Sequence, residues 1–136
     1  MASKIIRKII STPKAPKAVG PYSQAVKVNE TLYISGQIGF IPETMEIVAG
    51  GAAAETDQAL KNLGTILAEA GGTYNNVVKT TVLLKDIGEY AAVNDVYAKY
   101  FSESKPARAA YQVAALPKGA NVEIEAVAVI GEIVDA

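Results

Sequence analysis

The strongest periodic signal in the chain lies between residues 52 and 70. Leu60, Leu63, Leu67 and Ala70 recur at helical spacing, so one stripe of this segment is apolar and needs a partner. Gly71-Gly72 stops the helix. Most other apolar runs read as strands. Ile5 to Ile10 reads as a short first strand, and Ser11 to Pro21 as a loop marked by Pro13, Pro16 and Gly20-Pro21. Ser23 to Val28 and Thr31 to Ser35 flank Asn29-Glu30, which predicts a β-hairpin. Gly36-Gln37-Ile38-Gly39 breaks the alternation, as at a bulge or where a ligand approaches backbone. Residues 40–51, with Pro42 and Gly50-Gly51, read as a loop.

Val77 to Leu84 is a β-branched run that fits a central strand. Asp86 opens a second helix, with Glu89 three places on as a capping-box-like partner. Tyr90, Val93, Tyr97 and Tyr100 fall on one face of it, and Pro106 ends it. Ala107 to Ala115 and Val122 to Ile133 are the last two strands, joined by Leu116-Pro117-Lys118-Gly119. The order β-β-β-α-β-α-β-β predicts a single α+β domain over residues 1–136, a two-layer sandwich with both helices on one face of a mixed sheet. The last strand is apolar on both parities, so the other face also wants burial. Two helices are too few to cover both faces, which predicts an oligomer packed sheet to sheet.

A chain of 136 residues is long enough for one real core, and half of its residues are hydrophobic. No apolar run approaches a membrane span, and the N-terminus lacks the apolar block of a signal peptide. The expected location is the cytoplasm. The net charge of -1 gives no global basic field for nucleic acid. Lys4, Arg7, Lys8, Lys14 and Lys17 do precede the first acid, Glu30, and leave a local basic edge. With no Cys and no His, the chain excludes disulfides, thiol nucleophiles, Ser-His-Asp triads and Cys/His zinc sites. Chemistry falls to Glu, Asp, Tyr, Lys, Arg, Ser, Thr, backbone groups or water.

The last two strands carry the most telling charges: Arg108 on the first, Glu123 and Glu125 on the second. Charges in such runs are costly unless something pairs with them. For Arg108 the residues alone leave two readings, an ion pair or a grip on a ligand carboxylate, to which a planar fork of donors is suited. Glu123 is either a water-handling carboxylate or part of a solvated face shared with Glu125. Tyr22 is a loop anchor or a cleft residue, Ser35-Gly36 a strand end or cleft backbone, and Tyr90 with Asn94 part of the helix core or of a cleft wall. Lys79 has no assigned role. If Leu116 faces Asn121 across the turn, Glu123 lies opposite Ala114 and Arg108 opposite Val129. The two charges are then about six residues, or roughly 20 Å, apart. A shared site then needs a bulge, a looser connection or a second subunit.

Six short runs in this order resemble the RidA/YjgF family of reactive-imine deaminases. They are Gly20-Pro21-Tyr22-Ser23-Gln24-Ala25, Ser35-Gly36-Gln37-Ile38, Val78-Lys79-Thr80-Thr81-Val82, Pro106-Ala107-Arg108, Leu116-Pro117-Lys118-Gly119 and Ile124-Glu125-Ala126. The resemblance runs from about Ile5 to Gly131, and Pro106 to Val113 is similar to the animal branch. It implies a chorismate-mutase-like fold, a homotrimer with three intersubunit clefts, and no cofactor or metal. It implies hydrolysis of 2-imino acids, such as 2-iminobutanoate and 2-iminopropanoate, to 2-oxo acids and ammonia. By position it assigns Arg108 to the substrate carboxylate and Glu123 to the water. It places Tyr22, Ser35, Gly36, Tyr90 and Asn94 along the cleft. Ala110 stands where many bacterial members have cysteine and keeps only the backbone N–H. Lys105 departs from the family's usual aromatic residue, which bears on cleft shape and substrate preference. Related animal proteins have been linked to RNA cleavage and translation inhibition, so an RNA-directed protein is one rival. A holdase or ligand-binding protein using the same clefts without turnover is another.

Overall fold

The computed structural model describes residues 3–136; Met1 and Ala2, inside the domain bounds expected from sequence, lie outside the described residues. The strands are β1 (Arg7–Ile10), β2 (Ala25–Val28), β3 (Thr31–Gln37), β4 (Phe40–Ile41), β5 (Glu46–Ile47), β6 (Val77–Leu84), β7 (Ala107–Gln112) and β8 (Val122–Val129). The helices are α1 (Gly51–Glu69) and α2 (Tyr90–Tyr100), with single 3₁₀ turns at Tyr74–Asn76, Ile87–Glu89 and Pro117–Gly119. Six strands form one mixed sheet in the order β1-β2-β3-β8-β6-β7. Among the described residues only β6 and β7 run parallel, with α2 as their crossover. The molecule is therefore the expected α+β layer pair.

The core lies between the sheet and the helices. Leu60, Leu63, Ile66 and Leu67 of α1 are fully buried against Leu32, Ile34, Val122 and Ile124. At the end of α1, Gly71 takes φ 86° and the Gly72 N–H returns to the Leu67 carbonyl at 2.8 Å, the left-handed stop that Gly71-Gly72 predicts. Among the described residues, no helix covers the opposite face of the sheet. On it Ile9 is 55% exposed, Tyr33 52% and Tyr111 51%, so large apolar side chains stand uncovered on a single chain. Among the described residues, no helix is long and apolar enough to cross a membrane.

Several local expectations need correction. Residues 40–51 hold the small hairpin β4–β5, turned by Met45 at φ 58°. Asp86 accepts a hydrogen bond from the Gly88 N–H at 2.8 Å and so starts a 3₁₀ turn; α2 begins after it, without the expected capping box. The last two strands end earlier than their apolar runs, at Gln112 and Val129.

Strand pairing departs furthest from the expectation. β7 and β8 are not neighbours, because β6 lies between them. Arg108 sits beside Thr80 rather than Val129, and Glu123 beside Leu83 rather than Ala114. The reason is energetic. β8 places Val122, Ile124, Ala126 and Ala128 in the core, so the sheet centre buries it best, whereas β7 is mostly exposed and ends the sheet.

Candidate active site

One row of side chains crosses the helix-covered face: Ile10, Ala25, Ile34, Ala126, Thr80 and Arg108. The first five are buried. Arg108 ends the row at the sheet edge, where its stem packs and its head meets α2. One guanidinium nitrogen donates to Asn94 Oδ1 at 2.8 Å and the other terminal nitrogen to the Tyr90 hydroxyl at 2.8 Å. The guanidinium carbon stands 4.8 Å from the centroid of the Tyr97 ring. Tyr97 is itself fixed by a 2.7 Å hydrogen bond to the buried Thr80 hydroxyl. The Tyr90 hydroxyl is acidified, chiefly by its hydrogen bond with Asn94 and then by the Arg108 charge. Burial raises the Tyr97 hydroxyl, against the lowering effects of Thr80 and Arg108. Two of the five guanidinium N–H groups are thus engaged, and these bonds hold the fork in one orientation.

Tyr90 and Asn94 stand at the more open start of α2, exposed and half-buried, while Val93 and Tyr97 turn inward. Ala110 follows on the same edge strand. Its neighbour pattern is set by the parallel ladder, in which alternate residues bond inward. The Val113 N–H donates to the Leu84 carbonyl at 2.9 Å, so odd-numbered residues of β7 face β6. The N–H and C=O of Arg108 and Ala110 therefore point to the open edge.

Glu123 lies on the other face of the sheet. Its half-buried carboxylate lines a pocket of about 120 Å³ with Tyr22, Gly36, Gln37, Pro117 and Lys118 among its walls. Burial, and secondarily the charge of Glu125, raises its pKa above the ordinary carboxylate value. Tyr22 is half-exposed, lies against Gly20 and accepts a long 3.4 Å hydrogen bond from the Val19 N–H. Ser35 donates its hydroxyl to the Ser23 carbonyl at 2.6 Å, which ties β3 to the entering loop. Between Ile34 and Gln37 the pairing with β8 slips, the irregularity expected around Gly36.

Gly36 has a specific steric role here. A Cβ on it would stand 2.6 Å from a Glu123 carboxylate oxygen, so the missing side chain lets Glu123 lie across the backbone. Gly36→Ala is expected to displace the carboxylate. A crystal structure should show it moved, and turnover should fall at least tenfold at an almost unchanged melting temperature, since the neighbour that must move is a side-chain tip.

Within one chain, then, Tyr22, Gly36 and Glu123 come together, and Arg108, Tyr90, Asn94 and the Ala110 edge come together. The two groups lie on opposite faces and do not meet. The other supports were less legible. Tyr97 under the guanidinium reads from sequence as core. Gln24 is buried and holds the loop by donating to the Thr12 and Pro16 carbonyls at 3.0 and 2.9 Å. Buried Glu55 accepts hydrogen bonds from the backbone and side-chain amides of Asn121, two residues before Glu123. Only a helical pattern read for polar as well as apolar positions would single out Glu55. No group of three or more His, Cys, Asp or Glu able to hold a metal ion stands among the described residues.

The endoribonuclease L-PSP family model matches residues 12–130. This chain belongs to that family, the RidA/YjgF family. The RidA/YjgF chain is 61% identical over 134 residues to the 2-iminobutanoate/2-iminopropanoate deaminase of Mus musculus, covering 98% of this chain and 99% of that one. Its fold matches a crystal structure of RidA from an Antarctic Psychrobacter, with 54% identity, TM-score 0.87, and coverage of 90% and 99% of the two chains. It also matches the structure of Escherichia coli TdcF with bound serine, with 39% identity, TM-score 0.87, and coverage of 91% and 99%.

Proposed function

We propose that this RidA/YjgF protein hydrolyses 2-imino acids, including 2-iminobutanoate and 2-iminopropanoate, to 2-oxo acids and ammonia, in clefts between copies of a cytoplasmic homotrimer. This reading rests on the guanidinium of Arg108, oriented by Asn94 and Tyr90 with donors to spare at an open strand edge. That is a receptor for a small carboxylate. The deaminase name of a 61% identical relative supports the reaction, and the serine held by TdcF supports a ligand of amino-acid size. Trimerisation covers the exposed sheet face bearing Ile9, Tyr33 and Tyr111 and brings the Glu123 pocket of one copy to the Arg108 edge of the next.

The chemistry then needs little. The substrate carboxylate binds Arg108. A protonated imine carbon is already electrophilic. Glu123 accepts a proton from water as the water oxygen adds to that carbon and the C=N electron pair moves to nitrogen. In the resulting carbinolamine the proton held by Glu123 passes to nitrogen, the C–N bond breaks with its electron pair going to ammonia, and the hydroxyl oxygen forms C=O as its proton returns to Glu123, from which ammonia carries it off as ammonium. The free N–H of Ala110, with backbone beside Gly36, steadies the adduct. Tyr22 closes the water side and Ser35 holds the bulge in shape. No cofactor enters these steps.

The test is ammonia release from an imino acid generated in situ by an amino-acid oxidase. Fast release by wild type and none above background by Arg108→Ala supports the reading. Equal release in both, with RNA cleaved by the wild type, favours the nuclease that the family's description names. Tight binding of the 2-oxo acid without release favours a holdase or carrier.

A further inference from the structure

We propose that the apolar pocket beside Arg108 takes the substrate's side chain, and that Lys105 at its rim favours imino acids with a second anionic group, the imino forms of dicarboxylic amino acids. This rests on the imino-acid reading above and extends it to a substrate class. The pocket holds about 230 Å³ and is lined by Tyr97, Ala98, Phe101, Lys105, Pro106 and Arg108. Its walls are rings, a methyl group and a pyrrolidine, which suit a run of methylenes. Apart from the Tyr97 hydroxyl, which is bonded to Thr80, its polar side chains are both cations.

Neither cation has an anionic partner among the described residues. Among the described residues the one ion pair is Lys61–Asp57, at 3.0 Å. The acid nearest in sequence, Glu103, is taken by the Asn75 amide at 2.8 Å. Two like charges on one small apolar rim repel, and an anion bound between them relieves both. The spacing suits a diacid. Three residues of chain span at most ~10 Å, and the four-carbon stem of lysine bridges what the substrate's own methylenes leave. With the α-carboxylate on Arg108, the methylenes lie over Tyr97 and Phe101 and the terminal carboxylate meets Lys105. The neutral side chain of 2-iminobutanoate would leave that ammonium unused.

The experiment compares kcat/KM for 2-iminoglutarate and 2-iminobutanoate, each generated in situ, in wild type, Lys105→Gln and Lys105→Glu. Lys105 is exposed, so both variants are expected to fold. The diacid-to-monoacid ratio should fall about fivefold in Lys105→Gln, the size of an exposed charge pair, and further in Lys105→Glu. The fall should shrink with added salt. A ratio that is the same in all three proteins overturns the subsite while leaving the deaminase reading intact. A wild type that turns over neither compound overturns both.

Discussion

Arg108→Lys is expected to lower kcat/KM for 2-iminobutanoate about ten- to a hundredfold, from the ~1.5–3 kcal/mol of a hydrogen bond to a charged group. The charge survives this change and the geometry does not. Arginine spans Asn94 and Tyr90 with two nitrogens while its plane rests near Tyr97. Lysine offers one point of charge and cannot hold those contacts and a bidentate carboxylate together. Arg108→Ala removes the charge as well and should leave release at background. The loss should lie mainly in KM for the lysine variant, with kcat less affected, because water and Glu123 remain in place. Steady-state kinetics of both variants at wild-type levels would discard the carboxylate role.

Glu123→Gln should instead act on kcat, with a fall of about a hundredfold or more, the lower end of what a positioned base contributes. The pH dependence follows from the raised pKa of this group. The basic form does the work, so kcat should be full above that pKa and fall as pH drops through it, at a higher pH than an unperturbed glutamate would give. Glu123→Gln should flatten that limb. Stability runs the other way. A carboxyl whose folded pKa is raised holds its proton more tightly in the native state, so its contribution is present below the unfolded pKa and is lost as pH rises through the folded one. At neutral pH the ionised Glu123 therefore costs stability. In an Arg108→Ala background, which removes the opposing charge across the cleft, Glu123→Gln should melt higher than its parent at pH 7, and the gap should narrow on acidification. A double variant less stable than that parent at pH 7 would contradict the burial of this carboxylate.

The layers and most elements were legible because they rest on local physics. The apolar stripe of α1, its glycine stop and the β-branched run of β6 each state their own structure. Gly36 announced a break in β3, and a break is present there. The partner of each strand was not legible. A Pro/Gly turn between two apolar runs resembles a hairpin, yet β7 pairs with β6 through a crossover, and β8 inserts between strands far away in sequence. That choice is made by total burial, which no window of residues reports. The same limit applied to the site. Arg108 and Glu123 are identifiable as costly charges in apolar runs, but the face each occupies depends on the register of the whole sheet. Tyr97 and Glu55 were missed for a related reason. Tyr97 lies under the Arg108 guanidinium and Glu55 holds Asn121, both from within the core, where a helical pattern records only that a position is inward.

If Arg108 of one copy and Glu123 of another complete each cleft, as proposed, two variants that are inactive alone should rescue each other when their subunits are mixed. Arg108→Ala and Glu123→Gln are unfolded together in equal amounts, refolded, and assayed for ammonia release beside each variant refolded alone. In a ring of randomly mixed subunits, about a quarter of the clefts would receive both native residues, so activity should return to about a quarter of the wild-type value. Activity no greater than that of the separate variants, in oligomers shown by native mass spectrometry to be mixed, would contradict the shared site.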